Sequence, residues 1–435
     1  VRAPPPSDRG QEYPMAQPRH PFAFASFRYF WTARMCSVLA QNILVIVVGW
    51  QVYDLARATM DTKDAALQLG FVGLAQFAPL FALTLVTGWA ADRYDRRLIV
   101  CLTTSLQLLC AVALGWLTWS GGATIPALLG VAVFLGVARA FSMPALNALG
   151  PNIVPPEVLP LAIATNAIAG RVGSILGPAA GGYLYAWSPP VPYVVSALLF
   201  ALSLLCMLLV RPAARTIGPP RKPWKLMIEG LSYVRANKLV LGAISLDLFA
   251  VLMGGATAML PIFARDILHV GPEGLGHLRA APAAGAMATA LLFSWRPLKH
   301  DVGVKMLVSV AVFGVATVVF GLSRWLPLSL GCLAVLGAAD MLSVYVRQSL
   351  IQLSTPDAMR GRVAAVSSLF ISASNELGEA ESGFLAAAIG PVPAVVFGGV
   401  GAIIVTGLWA WWFPALRRAR TFESAQVEEA PRRNG

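Results

Sequence analysis

Apolar residues in this chain come in long blocks separated by short polar stretches. They form neither the one-sided stripe of a surface helix nor the alternation of a half-buried strand. Blocks of about 20 residues are what a helix needs to cross the hydrocarbon core of a bilayer. Twelve such spans are predicted, over residues 29–53, 67–91, 98–119, 124–146, 158–186, 192–211, 239–265, 274–295, 304–322, 326–347, 360–390 and 391–414. The connections are short except for residues 211–238 between spans six and seven. The first half of that linker is proline-rich. Its second half, Trp224 to Val234, sets apolar residues at helical spacing beside Lys225 and Arg235, as in a short helix lying on the membrane surface. The expected organisation is a tail (1–28), a six-helix bundle (29–211), a linker with an amphipathic helix (212–238), a second six-helix bundle (239–414) and a second tail (415–435). The first tail, rich in proline and charge, reads as disordered rather than as a signal peptide.

The halves repeat. An offset of 201 residues aligns "GVARAFS" (136–142) with "GAADMLS" (337–343), Pro155 with Pro356, and "LGPAAGGYL" (176–184) with "LGEAESGFL" (377–385). Each half has an even number of spans, so the copies run in the same direction. Parallel repeats about an axis normal to the membrane describe one class of secondary transporter, with substrate bound between the halves. The fold class is thus all-α integral membrane, with twelve transmembrane helices in two parallel-related halves.

Composition agrees: 57% of residues are hydrophobic and 12% charged, about half the charged share of a soluble protein. The net charge of +12 raises the question of nucleic acid, but no binding motif accompanies it, and its placement follows the positive-inside rule. Arg93, Arg96 and Arg97, the basic linker, Arg296, Lys299 and Lys305, Arg360 and Arg362, and Arg417, Arg418 and Arg420 fall on one side. Only Arg57, Lys63, Arg265 and Arg324 fall on the other, so both termini are expected in the cytoplasm. The cysteines Cys36, Cys101, Cys110, Cys206 and Cys332 lie in apolar blocks without metal-ligand spacing and read as buried free thiols. Four histidines (His20, His269, His277, His300) form no catalytic or metal-binding set, and no phosphate-binding loop is present, so neither an enzyme nor direct use of ATP is expected.

After span two comes "GWAADRYDRRL" (88–98). A basic cytoplasmic turn explains its arginines but not its Gly-x-x-x-Asp-Arg spacing. With this stretch the sequence resembles the major facilitator superfamily, whose signature Gly-x-x-x-Asp-Arg-x-Gly-Arg-Arg is met by Gly88, Asp92, Arg93, Arg96 and Arg97, with Asp95 in place of the second glycine. The resemblance implies that Asp92 and the arginines hold the cytoplasmic side shut against the start of span eleven, "STPDAMRGR" (354–362). There Ser354 or Thr355 is expected to cap a helix with Pro356 at its first position, and the positive end of that helix suits Asp92. The counterpart "SWRPLKHDVGVK" (294–305) keeps basic residues but not the pattern, so the lock is expected on one side only. In span five, Gly173, Gly177, Pro178, Gly181 and Gly182 permit close helix packing and a kink. They also resemble a packing element typical of the superfamily's antiporters. "LQLGFVGLAQFAPL" (67–80), "LPIFARDILHVGPEGLG" (260–276) and "SASNELGEAESG" (372–383) resemble its branch of siderophore exporters and related secretion proteins.

Charges inside spans are costly, about 2.5–3.5 kcal/mol on insertion scales, and mark function or structural ion pairs. Arg34 and Arg347 lie near cytoplasmic ends and are expected to snorkel. Arg139, Arg171, Asp247, Arg279 and Asp340 lie deeper, and Arg139 and Asp340 are equivalent positions of the repeat. The resemblance puts Arg139, Asp247 and Asp340 on spans that line the cavity and packs span five against span eight. Glu376, Glu379 and Glu381 crowd span eleven. Glu376 and Glu379 share a helix face, where two neighbouring carboxylates in low dielectric cannot both hold their charge cheaply. Three readings stand: proton coupling or substrate contact, pairing with arginines of neighbouring helices, and, best suited to Glu381, exposure near the outer mouth.

The sequence thus predicts a monomeric carrier in a bacterial inner membrane. Its partners are a small substrate and the lipid bilayer, it needs no cofactor, and it exports a small amphiphilic, siderophore- or drug-like molecule by proton antiport. Glu376, Glu379, Asp247 and Asp340 are the proton-coupling candidates, and Arg139, Arg171 and Glu381 the substrate-cavity candidates. The alternatives are an importer of the same fold and a membrane receptor or scaffold that transports nothing.

Overall fold

The computed structural model describes residues 20–421 apart from 151–152, 212–222, 297 and 299. The tails before residue 20 and after residue 421, and the first half of the linker, lie outside it. Among the described residues all regular structure is helical. The first half comprises α1 (Ala25–Arg57), α2 (Thr62–Arg93), α3 (Arg96–Trp119), α4 (Ile125–Leu149), α5 (Leu159–Trp187) and α6 (Val191–Leu209). A linker helix, α7 (Pro223–Ala236), leads into the second half: α8 (Lys238–Met253), α9 (Leu260–Ile262), α10 (Gly271–Trp295), α11 (Val302–Leu322), α12 (Leu326–Ser354), α13 (Asp357–Ile389), α14 (Pro391–Trp412) and the short α15 (Pro414–Arg418).

Local chemistry sets many of these ends. The carboxylates of Asp61 and Asp95 accept the backbone N–H of Asp64 and Arg97, each at 2.8 Å, and the Asn237 amide oxygen accepts that of Val240 at 2.8 Å. Each satisfies a donor that the first turn leaves open. Proline stands in the first turn of α4, α5, α6, α10, α12 and α14, where its missing N–H costs nothing.

Ten helices are long and apolar enough to cross a membrane, with Lys238–Ile267 taken as one. Two more, α10 with 25 residues and α13 with 33, have the length but fall short in apolarity. These two carry Arg279 and the glutamate cluster. The architecture agrees with twelve crossings in two halves. Exposed tryptophans mark both ends of the bundle: Trp295, Trp411 and Trp412 at the near end, where residue 20 and α15 lie, and Trp119, Trp187 and Trp325 at the far end. Aromatic belts of this kind sit at the two membrane–water interfaces.

Three spans differ from expectation. The expected end of span ten is Arg347, yet α12 runs on to Ser354 with Arg347 in its interior. Span seven is not one helix. After Met253 it passes through Gly254 and Gly255, a 3-10 turn (Ala256–Met259), α9 and a π-helical turn (Phe263–Ile267). Its break lies on α13: a side chain at Gly255 would overlap the Ser382 hydroxyl and the Gly378 carbonyl. The helix of span eleven starts at Asp357, one residue after the expected first position, Pro356. Ser354 completes α12, Thr355 is that helix's C-cap, and Pro356 is the N-cap of α13, with no side-chain cap. The linker helix is also tied to the second half. Glu229 pairs with Arg362 of α13 at 2.7 Å, the Tyr233 hydroxyl donates to the Ser354 carbonyl at 2.7 Å, and Gly230 packs on the Arg362 backbone. Ile228 and Leu231 stay exposed on its other face.

Within the first half α1 packs on α5 and α6, and α2 and α3 pack on α4; within the second, α12 packs on α10 and α11, and α8 on α13 and α14. Two long seams join the halves, α2 with α13 and α5 with α10.

Candidate functional site

The two seams close the far end. On one, Gly182 of α5 meets Pro272 and Gly276 of α10, and Gly276 in turn meets the carbonyls of Pro178 and Ala179. On the other, Gly383 of α13 meets Gly70 of α2, and Gly73 meets Ala380 and Glu379. Gly182 and Gly383 are equivalent under the 201-residue offset, so the repeat places one glycine at each closest approach. A Cβ at either position would collide with backbone of the other half. The remaining motif glycines serve the first half: Gly173, Gly177 and Gly181 lie on α1 at Val38, Asn42 and Ile46.

A polar clamp completes this closure. Asp266, in the π-helical turn, accepts from Arg57 at 3.0 Å and from the Tyr53 hydroxyl, and Arg265 pairs with Asp54. The two ion pairs are reciprocal, each end giving one acid and one base. On the α5–α10 seam the Tyr183 hydroxyl lies 2.7 Å from a ring nitrogen of His277.

Deeper in the second half lies a buried ion pair, Asp247 of α8 with Arg347 of α12, their side chains 6% and 2% exposed. Arg347 does not snorkel as expected; it points inward because its counter-ion is there. Asp247 also faces a small cavity of ≈ 10 Å³, about the room for one water. Asp340 and Ser343 of α12 line the same cavity. The structure thus brings Asp247 of span seven and Asp340 of span ten together at one small cavity. Arg139, the repeat equivalent of Asp340, is half-buried on α4.

A second pair crosses between helices that belong to different seams. Arg279 of α10 and Glu379 of α13 approach to 3.6 Å. Of the other acids on span eleven, Glu381 is half-buried and accepts from the Ser382 hydroxyl at 3.5 Å. It lies eight residues, about 12 Å, short of the far end of α13, so it is not at the mouth. The side chains of Glu376, Arg171 and Asp92, and the surroundings of Gly88, lie outside the described residues.

At the near end Arg93 is exposed and Arg96 half-buried. Arg97 donates to the carbonyls of Met207 (3.1 Å) and Leu208 at the end of α6. In this state Arg97 therefore closes a helix terminus within its own half. Asp95 earns its place over glycine by capping α3. Arg34 does not reach water freely either: it donates to the Asn147 side chain at 3.4 Å, and its Nε is buried without a hydrogen-bond partner.

The Major Facilitator Superfamily family model matches residues 30–379. The chain belongs to the Major Facilitator Superfamily. As a member it is a multi-pass membrane transporter, not an enzyme. Enterobactin exporters EntS of Citrobacter koseri and Escherichia coli are 28% and 27% identical to it over 405 residues, covering 91% of this chain and 93% of each relative. Among solved structures, a POT family transporter in complex with 5-aminolevulinic acid superposes with a TM-score of 0.71 at 11% identity, over 90% of this chain and 97% of that one. The inward-open xylose transporter XylE of E. coli gives 0.66 at 12%, over 93% and 99%. At such identities these likenesses concern the major facilitator fold alone.

Proposed function

We propose that the protein exports a small amphiphilic, siderophore-like molecule from a bacterial cytoplasm in exchange for protons. The near end, with both termini, faces the cytoplasm of an inner membrane. Substrate enters there and binds between the halves. The far-end clamp and seams then open as the halves rock, while the Asp92 loop and the start of α13 close the inner side. The carrier works as a monomer, without a cofactor, on the pH gradient.

The observation that carries this reading is the Asp247–Arg347 pair beside a water-sized cavity shared with Asp340. Ionisable groups at such depth are expensive and mark proton or ion pathways. Asp247 and Asp340 sit where a proton reaching the cavity could change how α8 and α12 hold each other. Glu376 and Glu379 are further candidates on α13. The likeness to enterobactin exporters over nearly the whole chain supports outward transport and a siderophore-type substrate.

Inside-out vesicles test the reading. Enterobactin, with a panel of amphiphilic drugs beside it, should accumulate in vesicles with an acidic lumen and stop accumulating when nigericin collapses the pH difference. Movement in the opposite direction would identify an importer. Absence of flux for every compound, from protein shown to be folded, would leave the receptor reading instead.

A further inference from the structure

Arg279 is poorly satisfied for a guanidinium in the middle of a membrane protein. Arginine has five N–H donors in a rigid fork. Among the described residues its nearest acid, Glu379, lies at 3.6 Å, beyond hydrogen-bond distance, and its Nε is buried with no hydrogen-bond partner. A committed arginine–carboxylate pair is bidentate at about 2.7–2.9 Å. The side chains of Arg279 and Glu379 are 20% and 30% exposed, so the pair is loosely held and reachable.

Its position gives it leverage. α10 packs on α5 and α12, whereas α13 packs on α2 and α8. The pair therefore bridges between the two seams that join the halves. Arg279 follows Gly276 by one helical turn, and Glu379 precedes Gly383 by one. Both glycines are at the closest inter-half approaches. Arg279 and Glu379 thus lie about one turn to the near-end side of the two closest approaches.

We infer that Arg279 is an anion-binding residue at the floor of the central cavity, with Glu379 as the internal ligand that an acidic substrate displaces. The ligand class is a molecule with a deprotonated oxygen acid that offers two oxygens to the guanidinium fork: a carboxylate, catecholate or hydroxamate. This deepens the export reading and rests on it only for the direction of movement. When the anion takes Arg279, the Glu379 carboxylate gives up this contact. Of the elements packed on α13, α14 has no charged residue, and α2 has none between Asp64 and Asp92 and presents Gly73 to Glu379. α8 and α12 direct Asp247, Asp340 and Arg347 to the buried cluster, and Glu229 of α7 holds Arg362 at the near end. Arg279 is the cation facing Glu379 among the described residues, and Glu381 lies two residues further along α13.

Binding to purified full-length protein in nanodiscs tests this directly, read by tryptophan fluorescence with benzoate and its uncharged counterpart benzamide as probes. The wild type should prefer the anion at least tenfold. Arg279→Gln should abolish that preference while leaving amide binding within twofold, and Arg279→Lys should restore only part of it. Glu379→Gln, which removes the displaced carboxylate, should bind the anion several-fold more tightly. Equal binding of both probes to the wild type, or an unchanged preference in Arg279→Gln, would overturn the assignment. If Arg279→Gln fails to fold, a weaker or unchanged anion affinity in Glu379→Gln overturns it equally. Anion preference without flux in vesicles would sink the export reading and leave this site standing.

Discussion

Arg347 shows how a charge can hide in a span. Its guanidinium is 2% exposed and its partner Asp247 is 6% exposed, so neither is hydrated in the ordinary way. Breaking such a pair from one side leaves a buried charge uncompensated, at about 3–5 kcal/mol. Asp247→Asn should therefore lower the melting temperature of the purified protein sharply. Asp247→Leu with Arg347→Met should recover most of that loss, because an apolar pair needs no desolvation, yet it should still abolish proton-coupled flux. Thermal unfolding followed by transport assays on the double variant separates the two roles. The sequence exposes the charge of Arg347 but not its orientation. Seven residues from the end of α12, an arginine reaches either water or a neighbouring helix, and only packing decides.

At the scale of elements, the seams and the clamp control the far end. Valine at Gly182 or Gly383 would force backbone of the opposite half away, favouring a state open at that end. Spin labels at Thr59 and Leu268 should report a longer distance in Gly182→Val and Gly383→Val than in the parent. Each clamp pair is partly exposed, so its worth is about 1 kcal/mol or less, up to about fivefold in population. Arg57→Asp should shift the same label distance modestly, and adding Asp266→Arg should reverse the shift. The repeat makes Gly182 and Gly383 legible as equivalents in the sequence itself, because one offset holds over spans four, five, ten and eleven. The break at Gly254 and Gly255 is not legible there. An apolar run with two glycines reads as a continuous span, and what interrupts it is the close approach of Gly378 and Ser382 from a helix over 100 residues away.

The whole molecule follows from the sequence more directly than its site does. Long apolar blocks dictate helices, since backbone polar groups in lipid must be satisfied internally. The charges on α10 and α13 are plain in the sequence, though not that Arg279 on one meets Glu379 on the other. Those residues are 100 positions apart and belong to helices on different seams, so no local pattern connects them. At this scale α13 acts as a lever. Its 33 residues take in the linker helix's grip at Arg362 and the contact with Gly70 at Gly383. From Gly383, Glu379 is about 6 Å along the axis and Arg362 about 31 Å, at 1.5 Å per residue. With Gly383 as fulcrum, a displacement of about 1 Å at Glu379 becomes about 5 Å where α7 takes hold. Mechanical advantage of that kind would let one small anion at the floor swing the opposite rim of the carrier.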